Sequence, residues 1–408
     1  MLLWQTNPFL EVRLAQGNGC TVWDTSGKSY LDLLSGTWCN VLGYRHPRWT
    51  SAICEQVSRL THTGASFITT EIAEALSRLQ DILPSELNRT VFLNTGSEAV
   101  ELALKMARAA THADAIVVVE RGYYGATTYA LALSEAGRGA GYLPSIGNLY
   151  RLPAPDCARC PAGCTWPCED RFPCLDPLAH LAEKCDTPIA AVIYEPVLGG
   201  GILVPPIGYG ARLRTLASHC NALLIAEEVT TGMGRTGRWF GFQHENIVPD
   251  ILVIGKAIGA GLPVSVVITT EDVETRCKGT LRHVQSHQND PLSGRIAATV
   301  ISILQEERLV ERAAECGRHL LDGLKQIQMT NGCVLQVRAR GLMVGAEVDK
   351  HRDRGMEIPR RMLQAGFIID YHAPTATVRL FPPYIITHQE IDAFLKAFER
   401  VLLEIDGP

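Results

Sequence analysis

The sequence predicts an α/β protein whose site lies at the carboxyl ends of buried strands. Ala222-Leu223-Leu224-Ile225-Ala226 is an uninterrupted apolar run of strand length, as a parallel strand covered on both faces requires. It ends in two carboxylates, Glu227 and Glu228. A second run, 249–255, leads to Lys256, followed by Gly259, Gly261 and Pro263. Open α/β sheets bind ligands outside the carboxyl ends of their strands, so acids and a lysine at two strand ends mark a candidate site. A lysine there loses its proton more easily than one in water and can form a Schiff base. The plain alternative is a surface lysine after a core strand.

The bulk numbers bound the answer. The chain has 408 residues, 46% hydrophobic, with net charge −5, enough for two domains or one large core. No basic patch stands out, so nucleic acid is not an expected partner. The longest apolar runs are strand-length, so no membrane span is expected. The N-terminal stretch lacks a basic region followed by an apolar one and a cleavage site, so it does not read as a secretory signal. Thirteen cysteines, mostly single outside one cluster, fit reduced thiols in a cytoplasmic protein.

Taken in order, residues 11–34 alternate and turn like a small antiparallel piece. Segments 48–60 and 71–82 carry apolar residues at helical spacing. Residues 91–93 form a short strand, Asn94 to Val100 a small polar turn, and a helix runs to about 110. Strand, polar turn and helix aim free N–H groups at an anion; ordinary capping by Thr95 or Ser97 is the plain alternative. Runs 115–120 and 189–194 are further buried strands, the second ending in Glu195-Pro196. Helices are expected at 294–306 and 308–328, and strands at 334–338 and 342–348. Cys157, Cys160, Cys164, Cys168 and Cys174 lie in a Pro-rich insert. Its C-x-x-C pair and further thiols suit a tetrahedral zinc, or else form a reduced, Pro-stiffened excursion. No metal is assigned to the candidate site.

These words carry a resemblance. Glu227-Glu228-Val229, the G-x-G-R-T-G of 232–237, Pro249-Asp250-Ile251 and the K-x-x-G-x-G-x-P of 256–263 resemble the class III aminotransferases. So do the V-W-D-x-x-G-K-x-Y-L-D hairpin, the N-T-G-S-E-A of 94–99, the Ser286-His287-Gln288-Asn289-Asp290-Pro291 loop and the R-x-x-P-P at Arg379. That family uses pyridoxal 5'-phosphate on the fold of aspartate aminotransferase, fold type I. The resemblance implies a large, mostly parallel sheet domain over 48–285, interrupted by the cysteine insert at about 155–176. It implies a smaller α+β domain built from 1–47 and 286–408, and a homodimer with the site at the interface. Lys256 would carry the cofactor as a Schiff base and shuttle the proton. Gly96, Ser97 and, from the neighbouring subunit, Ser286 would hold the phosphate. Tyr123 would cover the ring, Glu227 would sit beside its nitrogen, and Thr230 would stand where relatives contact its phenolic oxygen. Arg379 would grip a substrate carboxylate, with Thr37, Trp38 and Glu195 lining the pocket.

The implied reaction moves an amino group between an amino acid and a 2-oxo acid. Similarity to 2,2-dialkylglycine decarboxylase keeps a decarboxylating transaminase open, as well as a racemase of the same family and a silent cofactor-binding regulator. Two departures matter. Tyr124 replaces the usual histidine, and Gly200 stands where many relatives carry the glutamate that pairs with the arginine in the absence of an α-carboxylate. With no such partner for Arg379, substrates with an α-carboxylate are expected to be preferred over distal amines.

Overall fold

The structure, a computed structural model, describes residues 12–160, 163, 168, 171–184, 187–348 and 356–406. Cys164 lies outside the described residues. The centre is a seven-stranded sheet in the order Arg89–Leu93, Ser265–Thr269, Ile251–Ile254, Leu223–Glu228, Ile189–Tyr194, Ala115–Val119, Leu149–Leu152. The last five are mutually parallel, and only Ser265–Thr269 runs against both neighbours. The apolar runs are unbroken because both faces are covered. Val117, Val192, Leu224, Leu252 and Val266 enter one core, and the alternate residues Ile116, Val118, Ile193, Ile225, Val253 and Val267 enter the other. Five parallel-running strands therefore end on one edge, four just before Gly96, Tyr123, Glu195 and Lys256 and one with Glu227 in its last two residues.

Two smaller sheets flank this one. Leu14–Asn18, Thr21–Asp24 and Ser29–Asp32 form a meander, and Phe367–Ile368 joins it parallel to the last strand, so chain from both ends shares one sheet. Val334–Arg340, Met343–Val348, Thr377–Leu380 and Asp370–His372 form an antiparallel sheet in which Asp370 lies opposite Arg379. The helices expected from periodicity are present at Pro47–Arg59, Thr70–Gln80, Pro291–Glu306 and Leu309–Thr330. The Pro291–Glu306 helix packs against the first two, at a distance only glycine permits: a Cβ on Gly294 would stand 2.8 Å from the Glu71 backbone. Fully buried Arg235 pins the N-terminal and C-terminal segments together, donating to Ser35 Oγ (3.5 Å) and to the carbonyls of Leu342 (3.2 Å) and Pro382 (2.6 Å). Among the described residues no helix is long and apolar enough to cross a membrane.

Candidate active site

The Ile251–Ile254 strand delivers Lys256 into a half-buried position with a left-handed backbone, φ 43°. Its Nζ donates to Thr230 Oγ1 at 2.8 Å and stands 4.6 Å from the centre of the Trp38 ring. Burial pushes its ammonium below the usual amine range, while Glu227, Cys39 and Glu195 pull it back. Glu227 ends the adjacent strand and is 4% exposed. Burial, then the like charge of Glu195, holds its carboxyl well above the usual range, against Lys256 and the Val229 N–H. Its neighbour Glu228 has a different job. It accepts from the N–H groups of Gly241 (2.6 Å) and Phe242 (2.8 Å) and from Thr231 Oγ1 (2.9 Å), closing the turn that follows. Burial still pushes it up to about 7. Strand alternation thus separates one acid for the site from one for the fold.

At the next strand end the helix Gly96–Thr111 begins. Thr95 and Glu98 form a reciprocal capping box: Glu98 N–H donates to Thr95 Oγ1 (3.2 Å) and Thr95 N–H to Glu98 Oε2 (3.0 Å). Capping therefore falls to Thr95, and Ser97 is left for another use. Ser97 Oγ accepts the Ala126 N–H at 2.9 Å, and a Cβ on Gly125 (φ 137°) would stand 2.8 Å from that oxygen. A Cβ on Gly96 would meet Val229 at 3.0 Å. Two glycines thus leave a narrow space in front of a helix N-terminus, where an anion is favoured.

Tyr123 is 47% exposed, with its N–H fixed by Glu195 Oε1 at 2.8 Å. Tyr124 is buried; its hydroxyl donates to the Val119 carbonyl (3.2 Å) and accepts the Val119 N–H (3.1 Å). The residue in place of the usual histidine therefore locks the strand end. Glu195 Oε2 also accepts the Gly199 N–H at 2.9 Å, so the carboxylate is clamped between two backbone segments. Burial raises it above the usual range, opposed by those two N–H groups.

Arg379 corrects one expectation. It is not without a partner: its Nε donates to Asp370 Oδ2 at 2.6 Å, its Nη2 also meets that oxygen, and its Nη1 donates to the Gly199 carbonyl at 2.9 Å. The missing glutamate has a steric reason as well, since a Cβ at Gly200 would stand 2.6 Å from the Arg121 carbonyl oxygen. The Trp38 ring lies 4.8 Å from the Arg379 guanidinium and stacks on Phe381 at 4.1 Å. Trp38 Nε1 is buried with no hydrogen-bond partner, an orphaned donor between the lysine and the arginine.

Lys256, Thr230, Glu227, Glu195, Trp38, Arg379 and the Tyr123 backbone are thus brought together by contacts or shared charge. Gly96 and Ser97 lie beside them through Val229 and Gly125. Thr37 is exposed at the edge, with a left-handed backbone, φ 61°. Ser286 is exposed and makes no hydrogen bond to the other candidates within the chain, though its loop is anchored by Asn289, which bonds Phe92 in both directions (2.9 and 3.1 Å). Sequence reasoning missed Asp370, whose only signal was an acid and an arginine on the two arms of one hairpin. It also missed Cys39, whose thiol burial pushes above the usual range while the charges of Lys256 and Arg235 pull it back.

The donor set fits a phosphorylated pyridine aldehyde. The Lys256 amine can condense with the aldehyde, the Glu227 carboxyl beside it suits a ring N–H, and the cradle at Gly96, Ser97 and Gly125 suits a phosphate.

The aminotransferase class-III family model matches residues 4–402. The acetylornithine aminotransferase of Mycobacterium leprae is 33% identical over 95% of this chain and 90% of its own. A Bacillus anthracis aminotransferase structure superposes with TM-score 0.93 at 29% identity, covering 99% of this chain and 96% of its own. An amine transaminase from an uncultivated Pseudomonas species, solved in its PLP-bound form, superposes with TM-score 0.89 at 26% identity over 98% of each chain.

Proposed function

This chain belongs to the class III aminotransferases, pyridoxal-phosphate-dependent enzymes of fold type I, and we propose that Lys256 carries its cofactor and moves the reacting proton. The observation that supports this most is the half-buried Lys256 Nζ, held 2.8 Å from Thr230 Oγ1 with Glu227 at the next strand end. When bound, the cofactor supplies an aldehyde for the amine and an electron-withdrawing ring. Lys256 Nζ would take a proton from the Cα of the donor in one half-reaction and give one to the Cα of the acceptor in the other, a role that desolvation aids by easing its deprotonation. Thr230 Oγ1 holds that amine in place. Gly96 and Ser97 bind the phosphate, joined by Ser286 from a second copy, which makes the working form a homodimer. Tyr123 covers one face of the ring and Glu227 pairs with its nitrogen. Glu195 positions the Tyr123 and Gly199 backbones, and Thr37 lies at the pocket mouth.

The substrates are an amino acid and an oxo acid. Arg379 and the Trp38 N–H receive a carboxylate when the substrate offers one beside the reacting amine. When it does not, Asp370 and the Gly199 carbonyl keep the guanidinium satisfied, so distal amines are admitted as well. Relatives named for acetylornithine and for amines agree with that breadth. The large domain would span about 48–285 and the small one the two ends, in a cytoplasmic protein. The test is Lys256→Ala. It should abolish turnover while the folded variant still binds cofactor through the phosphate cradle. Surviving turnover, or a folded variant unable to bind cofactor, would contradict the division of roles.

A further inference from the structure

The Pro-rich insert takes no part in the reaction above, yet it gathers the densest set of thiols in the chain. Cys157 Sγ and Cys168 Sγ stand 3.8 Å apart. A disulfide requires about 2.05 Å. Thiolates at about 2.3 Å from a tetrahedral zinc are about 3.8 Å from one another, because a tetrahedron's edge is about 1.63 times its centre-to-corner distance. The pair therefore has the spacing of two ligands of one metal. Cys160 and Cys174 are electrostatic neighbours of the same thiols, and Cys160 directly follows the one-turn helix Cys157–Arg159, in C-x-x-C spacing. Among the described residues no third sulfur lies within 4.8 Å of both members of the pair, so binding must draw the outer two inward.

The turn is pinned to the rest of the molecule. Asp156 takes Arg121 Nη1 at 2.7 Å and Arg159 Nη1 at 3.2 Å. Arg159 also pairs with Glu347, which takes Arg338 at 2.8 Å, and Arg338 donates to the Gly201 carbonyl at 3.0 Å. Arg121 lies two residues before Tyr123, and Gly201 two residues after the Gly199 that Arg379 touches. The insert is thus a bracket between the loop at one strand end and the C-terminal sheet, seated on the main core through Cys168, Phe172 and Leu175.

We propose that Cys157, Cys160, Cys168 and Cys174 bind one zinc ion, or a similarly thiophilic divalent ion, as a structural centre that fixes Asp156 and Arg159 beside the active site. Each cysteine releases its proton as its sulfur–metal bond forms, and no electrons are transferred. Among the described residues, the one cluster that already brings three ligand atoms within 4.8 Å of one another is His62, His287 and Asp290, where both imidazole Nδ1 atoms lie on one carboxylate at 2.5 and 2.6 Å. The test must separate the two.

The cofactor-loaded enzyme, expressed with zinc and purified without chelator, is assayed for metal by mass spectrometry. About one zinc per chain is expected, falling to background in Cys157→Ser/Cys160→Ser and unchanged in His62→Ala. Metal-free wild-type protein titrated with cobalt(II) alone should show thiolate-to-cobalt charge-transfer absorption, a readout that holds even where the double variant folds poorly. Three results would each overturn the proposal: no zinc together with no cobalt–thiolate band, metal lost only in His62→Ala, or a Cys157–Cys168 disulfide in the unreduced protein.

Discussion

Replacing Asp370 by asparagine removes the charge that holds Arg379 at rest and nearly preserves its shape. The pair is partly buried, with side-chain exposures of 15% for Arg379 and 26% for Asp370. Its weight therefore falls between an exposed pair at about 0–1 kcal/mol and a buried one at about 3–5 kcal/mol. A hydrogen bond to a charged group contributes about 1.5–3 kcal/mol, and about 2 kcal/mol corresponds to about 30-fold. In Asp370→Asn the guanidinium keeps the Gly199 carbonyl but needs an anion, so an α-carboxylate should be welcomed and a plain amine penalised. The assay is single-turnover loss of the cofactor absorbance band with an L-α-amino acid and with an alkyl amine. The ratio of the two efficiencies should rise by about tenfold or more in favour of the amino acid. A ratio unchanged, or shifted toward the amine, would refute the view that Asp370 is the resting counter-ion.

Two further outcomes follow from the same geometry. Gly125→Ala puts a Cβ 2.8 Å from Ser97 Oγ at φ 137°, so cofactor affinity should fall by about tenfold, measured by equilibrium titration of the apoenzyme; unchanged affinity would remove Ser97 from the phosphate cradle. Glu228 is raised from the ordinary value of 4.5 to about 7, so the folded chain holds a proton that the unfolded chain has lost; that stabilising contribution is complete below 4.5 and is lost as pH rises through 7. The melting-temperature advantage of wild type over Glu228→Gln should therefore shrink across that window, and an advantage that grows with pH would contradict the burial argument.

Five strands of the central sheet were legible as apolar runs, and the two cores it separates repeat along it with period two; Leu149–Leu152, interrupted by Arg151, and the antiparallel Ser265–Thr269 were not read from the sequence. The lysine, the strand-end acids and the glycine turn were legible because each sits one to three residues past such a run. What sequence could not supply is register. Asp370 reaches Arg379 only because two short strands pair with those residues opposite each other, and a slip of one residue would turn them to different faces. Nor could it show that Gly200 is excluded from carrying a side chain by the Arg121 carbonyl, a contact between loops from different strand ends. The docking of the insert was hidden for the same reason, since Arg159 and Glu347 are 188 residues apart and meet only through the fold.

The account rests on Lys256 being the residue that holds the cofactor. Borohydride reduction of the holoenzyme, followed by proteolysis and mass spectrometry, tests this directly by fixing the cofactor to the amine that bears it. The pyridoxyl label should be found on the peptide containing Lys256 and absent from the other lysine peptides. A label on any other lysine, with Lys256 unmodified, would contradict the account.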